Sequence, residues 1–241
     1  IPTGEKNTST AYSVIIAAGG SIPGEKKAGM SLPGGEDLPD SLQIAEQLGA
    51  RIINPDLTQY HPTGVVLPVE LRRKPVPEVL RAAGAKLLNA NMKPFTDSLQ
   101  TRRKLCDAIV KECMEGRCVT TVDGRKGVWL NTPDIDKLHG AGYTAQNFTK
   151  FYTSMLDHGY DISKKPVLVY PIAHYSLGGI QIDQYTRTNI KGLFAAGEAT
   201  WGVHGKDRLM GNSLLEIFVF GRISGQEAAR YTKQSREKIH E

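Results

Sequence analysis

The chain has 241 residues, 40% of them hydrophobic, which is enough for one large domain or two small ones. No run of about 18 apolar residues is present, so nothing in the sequence reads as a membrane span. The formal charge of +5 is modest, and the basic runs Arg72-Arg73-Lys74 and Arg102-Arg103-Lys104 are short and not interleaved with aromatics. That pattern argues against a nucleic-acid partner, which stays a weak alternative, and favours an anionic small substrate.

Ile1-Pro2-Thr3-Gly4-Glu5-Lys6 is polar and lacks a starting Met, so it reads as a trimmed or processed chain rather than a signal peptide. Tyr12 to Ala18, closed by Gly19-Gly20, predicts a buried parallel strand. Asp40 to Leu48 predicts a helix, with Asp40 as N-cap and Gly49 as stop, and Arg51 to Gln59 an extended segment. From about Pro62 the character changes. Pro68, Pro75 and Pro77 punctuate a polar stretch. Asp97 to Met114 then predicts a helix with an apolar stripe of Leu99, Cys106, Ile109, Val110 and Cys113.

A further helix is expected over Ala145 to Leu156, with Phe148, Phe151, Tyr152 and Met155 inward. The last third returns to short apolar runs, Val167 to Tyr170, Ile180 to Asp183 and Gly192 to Gly197. Ser213-Leu214-Leu215-Glu216 has capping-box spacing, and its helix should run to about Tyr231, with Gly221 and Gly225 permitting close packing. These segments give an α/β unit over 1–64 and 164–241, interrupted by an α+β unit over 65–163. Cys106, Cys113 and Cys118 contain no CxxC pair, so they read as ordinary thiols. Their spacing argues against a zinc site and against a disulfide framework, and gives weak support to the reducing cytoplasm.

Three constellations carry possible chemistry. In the first, a strand ends at Gly197-Glu198, a glycine-rich loop follows, and a helix begins near Gly211-Asn212-Ser213. Free N–H groups at such a start favour negative charge, such as the pyrimidine edge of a reduced flavin. Spacing alone favours an ordinary strand–loop–helix turn. In the second, His61, His174 and the loop His204 to Arg208 supply imidazoles and a guanidinium suited to carboxylates, although a lone loop histidine is usually structural. In the third, Glu78, Arg81 and Arg102 form an alternating acid–base series that could relay protons. Spacing alone favours a surface ion-pair network there. No Ser/His/Asp order or HExxH metal pattern stands out.

The order of motifs is more specific than any one of them. Gln59-Tyr60-His61-Pro62-Thr63-Gly64, Glu78-x-x-Arg81 and Leu99-Gln100-Thr101-Arg102 are followed by His174-Tyr175-Ser176-Leu177-Gly178-Gly179-Ile180 and Gly192 to Glu198. Gly202-Val203-His204-Gly205-Lys206-Asp207-Arg208-Leu209 and Gly211 to Leu215 complete the series. Together they resemble the flavoprotein subunit of the succinate dehydrogenase / fumarate reductase family, from about residue 12 to 230. The resemblance implies a Rossmann-like FAD-binding domain interrupted by a mobile capping domain. It implies that His174 and Arg208 grip the carboxylates of a dicarboxylate such as fumarate or succinate, with His61 at its other end. Arg102 aligns with the family's proton-donating arginine, and Glu78 and Arg81 with the residues that connect it to solvent. Ala18, Gly19, Gly20, Gly197, Glu198, Asn212, Ser213 and Leu214 would lie along FAD. In the full-length parent it further implies an iron–sulfur electron-transfer partner, and a cytoplasmic location, peripheral to the inner membrane through partner subunits.

An arginine acid works only if its deprotonation is transient, because its free pKa is about 12.5 or above. Keeping Glu78 and Arg81 together with Arg102 therefore matters more than keeping any one. Departures from the family pattern bear on the substrate. Pro77 stands where a threonine is usual, Arg103 where an acid is usual, and Lys206-Asp207 where Ala-Asn is usual. The stretch after Arg81 reads Ala82-Ala83-Gly84-Ala85-Lys86 rather than glycine-rich. Pro77 and Arg103 keep an L-aspartate oxidase-like or another fumarate-reductase-like enzyme open, and a non-catalytic module unable to hold FAD alone is a separate alternative. No GxGxxG phosphate fingerprint is found, from which weak or no FAD binding by this chain alone is expected.

Overall fold

The computed structural model describes residues 9–20 and 40–238. Its described residues fall into two compact units, one running to Gln59 and resuming at Tyr175, the other Tyr60–His174. The second encloses the 65–163 stretch set apart on composition.

Strand β1 (Val14–Ile16) is followed by α1 (Asp40–Gln47), β2 (Ile52–Ile53) and β3 (Thr58–Val65). Then come α2 (Val79–Ala82), β4 (Lys86–Leu88), α3 (Arg102–Met114), β5 (Val119–Thr120) and β6 (Lys126–Asn131). Three short helices follow, α4 (Pro133–His139), α5 (Tyr143–Asn147) and α6 (Thr149–Leu156). The chain closes with β7 (Val167–Ser176), β8 (Gly179–Gln181), β9 (Leu193–Ala195), β10 (Thr200–Trp201) and α7 (Asn212–Glu237).

The Tyr60–His174 unit is built on one sheet in the order β3-β7-β6-β4, with β5 added to β6. β6 is antiparallel to both β7 and β4. Pro62 lies in β3 at the end of this order, where a missing ladder donor is tolerated. Leu80, Leu87, Leu105, Ile109, Leu130, Ile135 and Met155 are fully buried and join strands to helices in one core. Burying a side chain of this kind contributes about 1.5–3 kcal/mol each.

The other unit holds two small sheets. β1 runs parallel to β9, with Val14 opposite Leu193. β8 pairs parallel with β10 and antiparallel with β2. Leu42, Ala45, Ile180, Leu193 and Ala195 make its core.

Several expectations need correction. β1 is parallel as expected, but Val14 and Ile15 are 51% and 40% exposed, so only Ile16 is core. The Asp97 helix starts at Arg102, because the Asp97 carboxylate accepts the Leu99 N–H at 3.0 Å and holds a turn there. Leu99 is therefore exposed, and Leu105 and Glu112 take buried places the stripe did not include. The Ala145 helix is two helices broken at Phe148, although Phe151 and Met155 do point inward. Ser213 is not the cap of the last helix. Gly211, at φ 83°, precedes it without a side-chain cap, and the helix reaches Glu237. At Gly221 and Gly225 no described atom lies within 4 Å of a built Cβ, so the close packing expected there is not found among the described residues.

Candidate active site

Within the Tyr60–His174 unit the sequence-selected charges converge. Arg102, the first residue of α3, meets Glu78 through two parallel hydrogen bonds, Nε to Oε1 at 3.0 Å and Nη2 to Oε2 at 2.9 Å. Arg81 Nη2 donates to the same Glu78 Oε1 at 2.9 Å, and its Nη1 donates to the Ser98 carbonyl at 2.7 Å. Ser98 also accepts the Leu87 N–H at 2.9 Å. The turn before α3 is thereby tied to β4, and the register of Arg102 is set. Side-chain exposures of 5% for Arg81, 11% for Arg102 and 14% for Glu78 mark a sheltered network, not a solvated surface one.

The electrostatics follow from this sharing. Burial pushes the Glu78 carboxyl up, but the hydrogen bonds and charge of Arg102 outweigh it and hold the group below the usual range. Arg81 is lowered chiefly by burial and by the Arg102 charge, against the pull of Glu78. No acid occupies the first turn of α3, so the positive helix end opposes the Arg102 charge and Glu78 offsets it.

His61 and His174 lie beside this network, their rings 5.2 Å apart and edge-on. His61 is buried, and its Nδ1 accepts the Thr63 N–H at 3.3 Å. Burial first, then the charges of His174 and Arg102, lower its pKa to about 3. His61 is therefore neutral near pH 7, a hydrogen-bonding imidazole rather than a cation.

In the other unit, a second cluster forms around a residue that capping-box spacing had assigned to a helix start. Glu216 is buried; its Oε2 accepts the Tyr175 hydroxyl at 2.6 Å and meets His204 Nε2 at 2.8 Å. Arg208 lies with its guanidinium 4.2 Å from the centre of the Tyr175 ring. Gln59 Nε2 donates to Asp207 Oδ1 and to the Arg208 carbonyl, each at 2.7 Å, pinning the loop that carries Arg208. Tyr175, Gln59 and Glu216 were not singled out for this role. The available signal was a lone acid inside the apolar run Leu214-Leu215-Glu216-Ile217-Phe218, where an unpaired carboxylate would be costly.

The residues expected along a flavin also fall in this unit. Gly20 sits against Glu198, where a Cβ would come within 2.4 Å of the Glu198 Cγ. Glu198 Oε1 accepts the Ser176 N–H at 2.8 Å, and burial raises its pKa despite that bond and Arg208. β1 and β9 lie side by side and lead into Ala18-Gly19 and Gly197 respectively. Asn212 and Ser213 open a long helix whose start has no side-chain cap, and Leu214 is exposed beside them. Backbone donors, a close glycine and an exposed apolar side chain fit a flat group with an anionic edge. Among the described residues, no group of His, Cys, Asp and Glu is placed to hold a metal ion.

Comparison with known proteins gives this geometry a context. The model of the FAD binding domain family matches residues 2–214. The chain is 39% identical over 203 residues to a fumarate reductase (CoM/CoB) chain of Methanothermobacter marburgensis, covering 81% of this chain and 36% of that one. It is 34% identical over 191 residues to the L-aspartate oxidase of Pyrococcus horikoshii, covering 79% and 36%. Among solved structures, Escherichia coli quinol fumarate reductase matches with a TM-score of 0.72 at 29% identity, over 92% of this chain and 40% of that one. The Mycobacterium smegmatis Sdh1 complex in its apo form matches with a TM-score of 0.70 at 34% identity, over 92% and 36%. The chain thus spans little more than a third of the length of these curated relatives, at 36%. It belongs to the FAD binding domain family, whose cofactor is FAD, and within it resembles the flavoproteins of the fumarate reductase and succinate dehydrogenase type.

Proposed function

We propose that this chain is the substrate-side portion of an FAD-dependent oxidoreductase acting on the carbon–carbon bond of a small dicarboxylate. The observation that carries the reading is the Arg102–Glu78–Arg81 network, in which one sheltered carboxylate is shared by two guanidiniums. FAD, when bound, exchanges a hydride with one substrate carbon. Arg102 delivers a proton to the neighbouring carbon and is reprotonated through the Glu78 carboxylate, which passes on a proton it receives from Arg81, itself replenished from solvent. Sharing one acid between Arg102 and Arg81 keeps reprotonation short-range. His61, His174 and Arg208 hold the substrate carboxylates, and neutral His61 contributes a hydrogen bond without adding charge. In the same reading Tyr60–His174 serves as a capping domain that excludes water. Ala18 to Gly20, Gly197, Glu198 and Asn212 to Leu214 line the flavin, and an iron–sulfur partner exchanges electrons with the parent protein.

A second reading, oxidation of L-aspartate, is kept open by Pro77 and Arg103 and is supported by similarity to proteins named L-aspartate oxidase at 34% and 36% identity. Titrating the chain with FAD, with and without fumarate, while following the visible spectrum tests the proposal. A saturable change at micromolar FAD, strengthened by fumarate, supports it, as does fumarate-dependent oxidation of a reduced dye that Arg102→Gln abolishes. Dye oxidation that persists undiminished in Arg102→Gln would remove the arginine from the reaction. Turnover with L-aspartate but not fumarate would select the second reading.

A further inference from the structure

A pocket away from the Arg102 network lies within the Tyr60–His174 unit, with a volume of about 260 Å³. Its walls carry Arg72, Arg73, Arg125 and Lys126, together with Gly124 and Tyr170, and no acid lines it among the described residues. The cations are mutually close. Arg72 Nη2 reaches Asp123 Oδ2 at 2.8 Å and Arg125 Nε reaches the same oxygen at 3.5 Å. The charge of Arg125 is in turn felt by Arg73, which is itself buried.

The backbone holds this arrangement in a form that costs energy. Arg73 has φ 76°, in the left-handed region, and its N–H donates to the Val65 carbonyl at 2.8 Å. Arg72 Nε donates to the Val66 carbonyl at 3.3 Å, fixing a second guanidinium along the same hairpin. A non-glycine residue in that conformation costs on the order of 1–3 kcal/mol, and such strain concentrates at binding sites. Arg72, Arg125 and Lys126 outnumber Asp123, the acid that two of them share, and this surplus of positive charge on strained backbone around a concavity points to an anion of more than one charge.

We propose that this pocket binds a phosphate dianion, free or as a phosphate monoester, through the Arg72 and Arg125 guanidiniums with Lys126 at the rim. Guanidinium forks suit phosphate oxygens in paired contacts, and the volume accommodates the group with room for an ester substituent. Asp123 is the counterweight, holding Arg72 and Arg125 in place when the pocket is empty. The site does not involve the flavin or the Arg102 network, so it stands or falls separately from the proposed reaction.

Titration calorimetry of the chain with inorganic phosphate, against chloride at matched ionic strength, is the test, followed by a simple phosphate monoester. Arg72 also donates to the Val66 carbonyl, so the variants used are the more exposed Arg125→Gln and Lys126→Gln. Saturable phosphate binding is expected, weakened about tenfold by Arg125→Gln, the loss of one charge-assisted bond. Asp123→Asn removes the competing acid and is expected to tighten binding several-fold, which a merely structural role would not produce. Tighter binding of the monoester than of phosphate identifies the ester as the natural form, and the reverse identifies the free ion. Absence of saturable phosphate binding, or equal affinity in the wild type and the Arg125→Gln/Lys126→Gln double variant, overturns the proposal.

Discussion

Arg102 grips Glu78 with two hydrogen bonds of 3.0 and 2.9 Å while Arg81 takes the same carboxylate from another direction at 2.9 Å. One negative charge thus compensates two positive ones in a sheltered place. Glu78 therefore carries the charge balance of this cluster. Without it the two guanidiniums and the positive end of α3 lose the counter-charge they share.

Glu78→Gln is accordingly expected to destabilise the chain by roughly 3 kcal/mol near pH 7, the scale for removing one partner of a sheltered pair. The pH dependence has a definite sign. The folded-state pKa of Glu78 is below its unfolded value of 4.5, so its contribution is fully present above about pH 4.5 and is lost as pH falls through the folded value. Denaturant unfolding of both proteins across pH 3–7 should show the wild-type advantage shrinking toward acid. An advantage independent of pH would mean that the shape of Glu78, not its charge, stabilises the unit.

His61 gives a pH effect of its own. With a folded pKa of about 3 against 6.5 when unfolded, the imidazole takes up a proton only on unfolding. Its contribution is constant above about pH 6.5. Between about 6.5 and 3 stability falls with decreasing pH by up to ~1.4 kcal/mol per pH unit, one proton's worth of slope. The ring-proton NMR resonances of His61 should stay fixed from pH 8 to pH 5. A midpoint near 6.5 would show that the ring is not enclosed as described, and His61→Asn should flatten the stability slope.

Glu216 offers a spectroscopic handle on the other unit. Tyr175 is pushed up first by burial and then by the Glu216 hydrogen bond and charge. Glu216→Gln keeps the shape and removes the charge. Ultraviolet titration should then show one tyrosine ionising at lower pH than in the wild type. Stability should fall by about 1–3 kcal/mol, because Tyr175 and His204 lose a charged acceptor. An unchanged tyrosine titration would place Tyr175 away from Glu216.

What the sequence made legible were the parts set by local patterning or by an ordered set of motifs. The glycine-closed strand at Leu193 to Ala195 and the inward Phe151 and Met155 follow from apolar periodicity. Grouping Glu78, Arg81 and Arg102 needed the motif order, since their spacing alone favoured a solvated surface. Long-range partnerships were not legible. Glu216 looked like a capping acid because Ser213 stands three residues before it, yet its carboxylate is taken by Tyr175 and His204, 41 and 12 residues away. Asp97 looked like the start of a helix, but an Asp carboxylate serves a turn as readily as a cap, and here the turn won. Helix glycines looked like contact points, a property that depends on what lies opposite and leaves no local trace.

That last point separates two glycines sharply. Gly178 lies where a Cβ would come within 1.8 Å of the Asn54 carbonyl oxygen, a backbone atom unable to move without disturbing the β2–β8 pairing beside it. Gly178→Ala should therefore cost about 3 kcal/mol or more, at the upper end of overpacking penalties. Gly221 lies inside α7, where an added Cβ meets no described atom within 4 Å. There a methyl group restricts the unfolded chain and supports the helix, so Gly221→Ala should stabilise by about 0.5–1 kcal/mol. Thermal or denaturant unfolding of both variants decides the matter. Destabilisation by Gly221→Ala would reinstate the close packing that the helix glycines first implied, and would show that α7 has a neighbour at that face in solution.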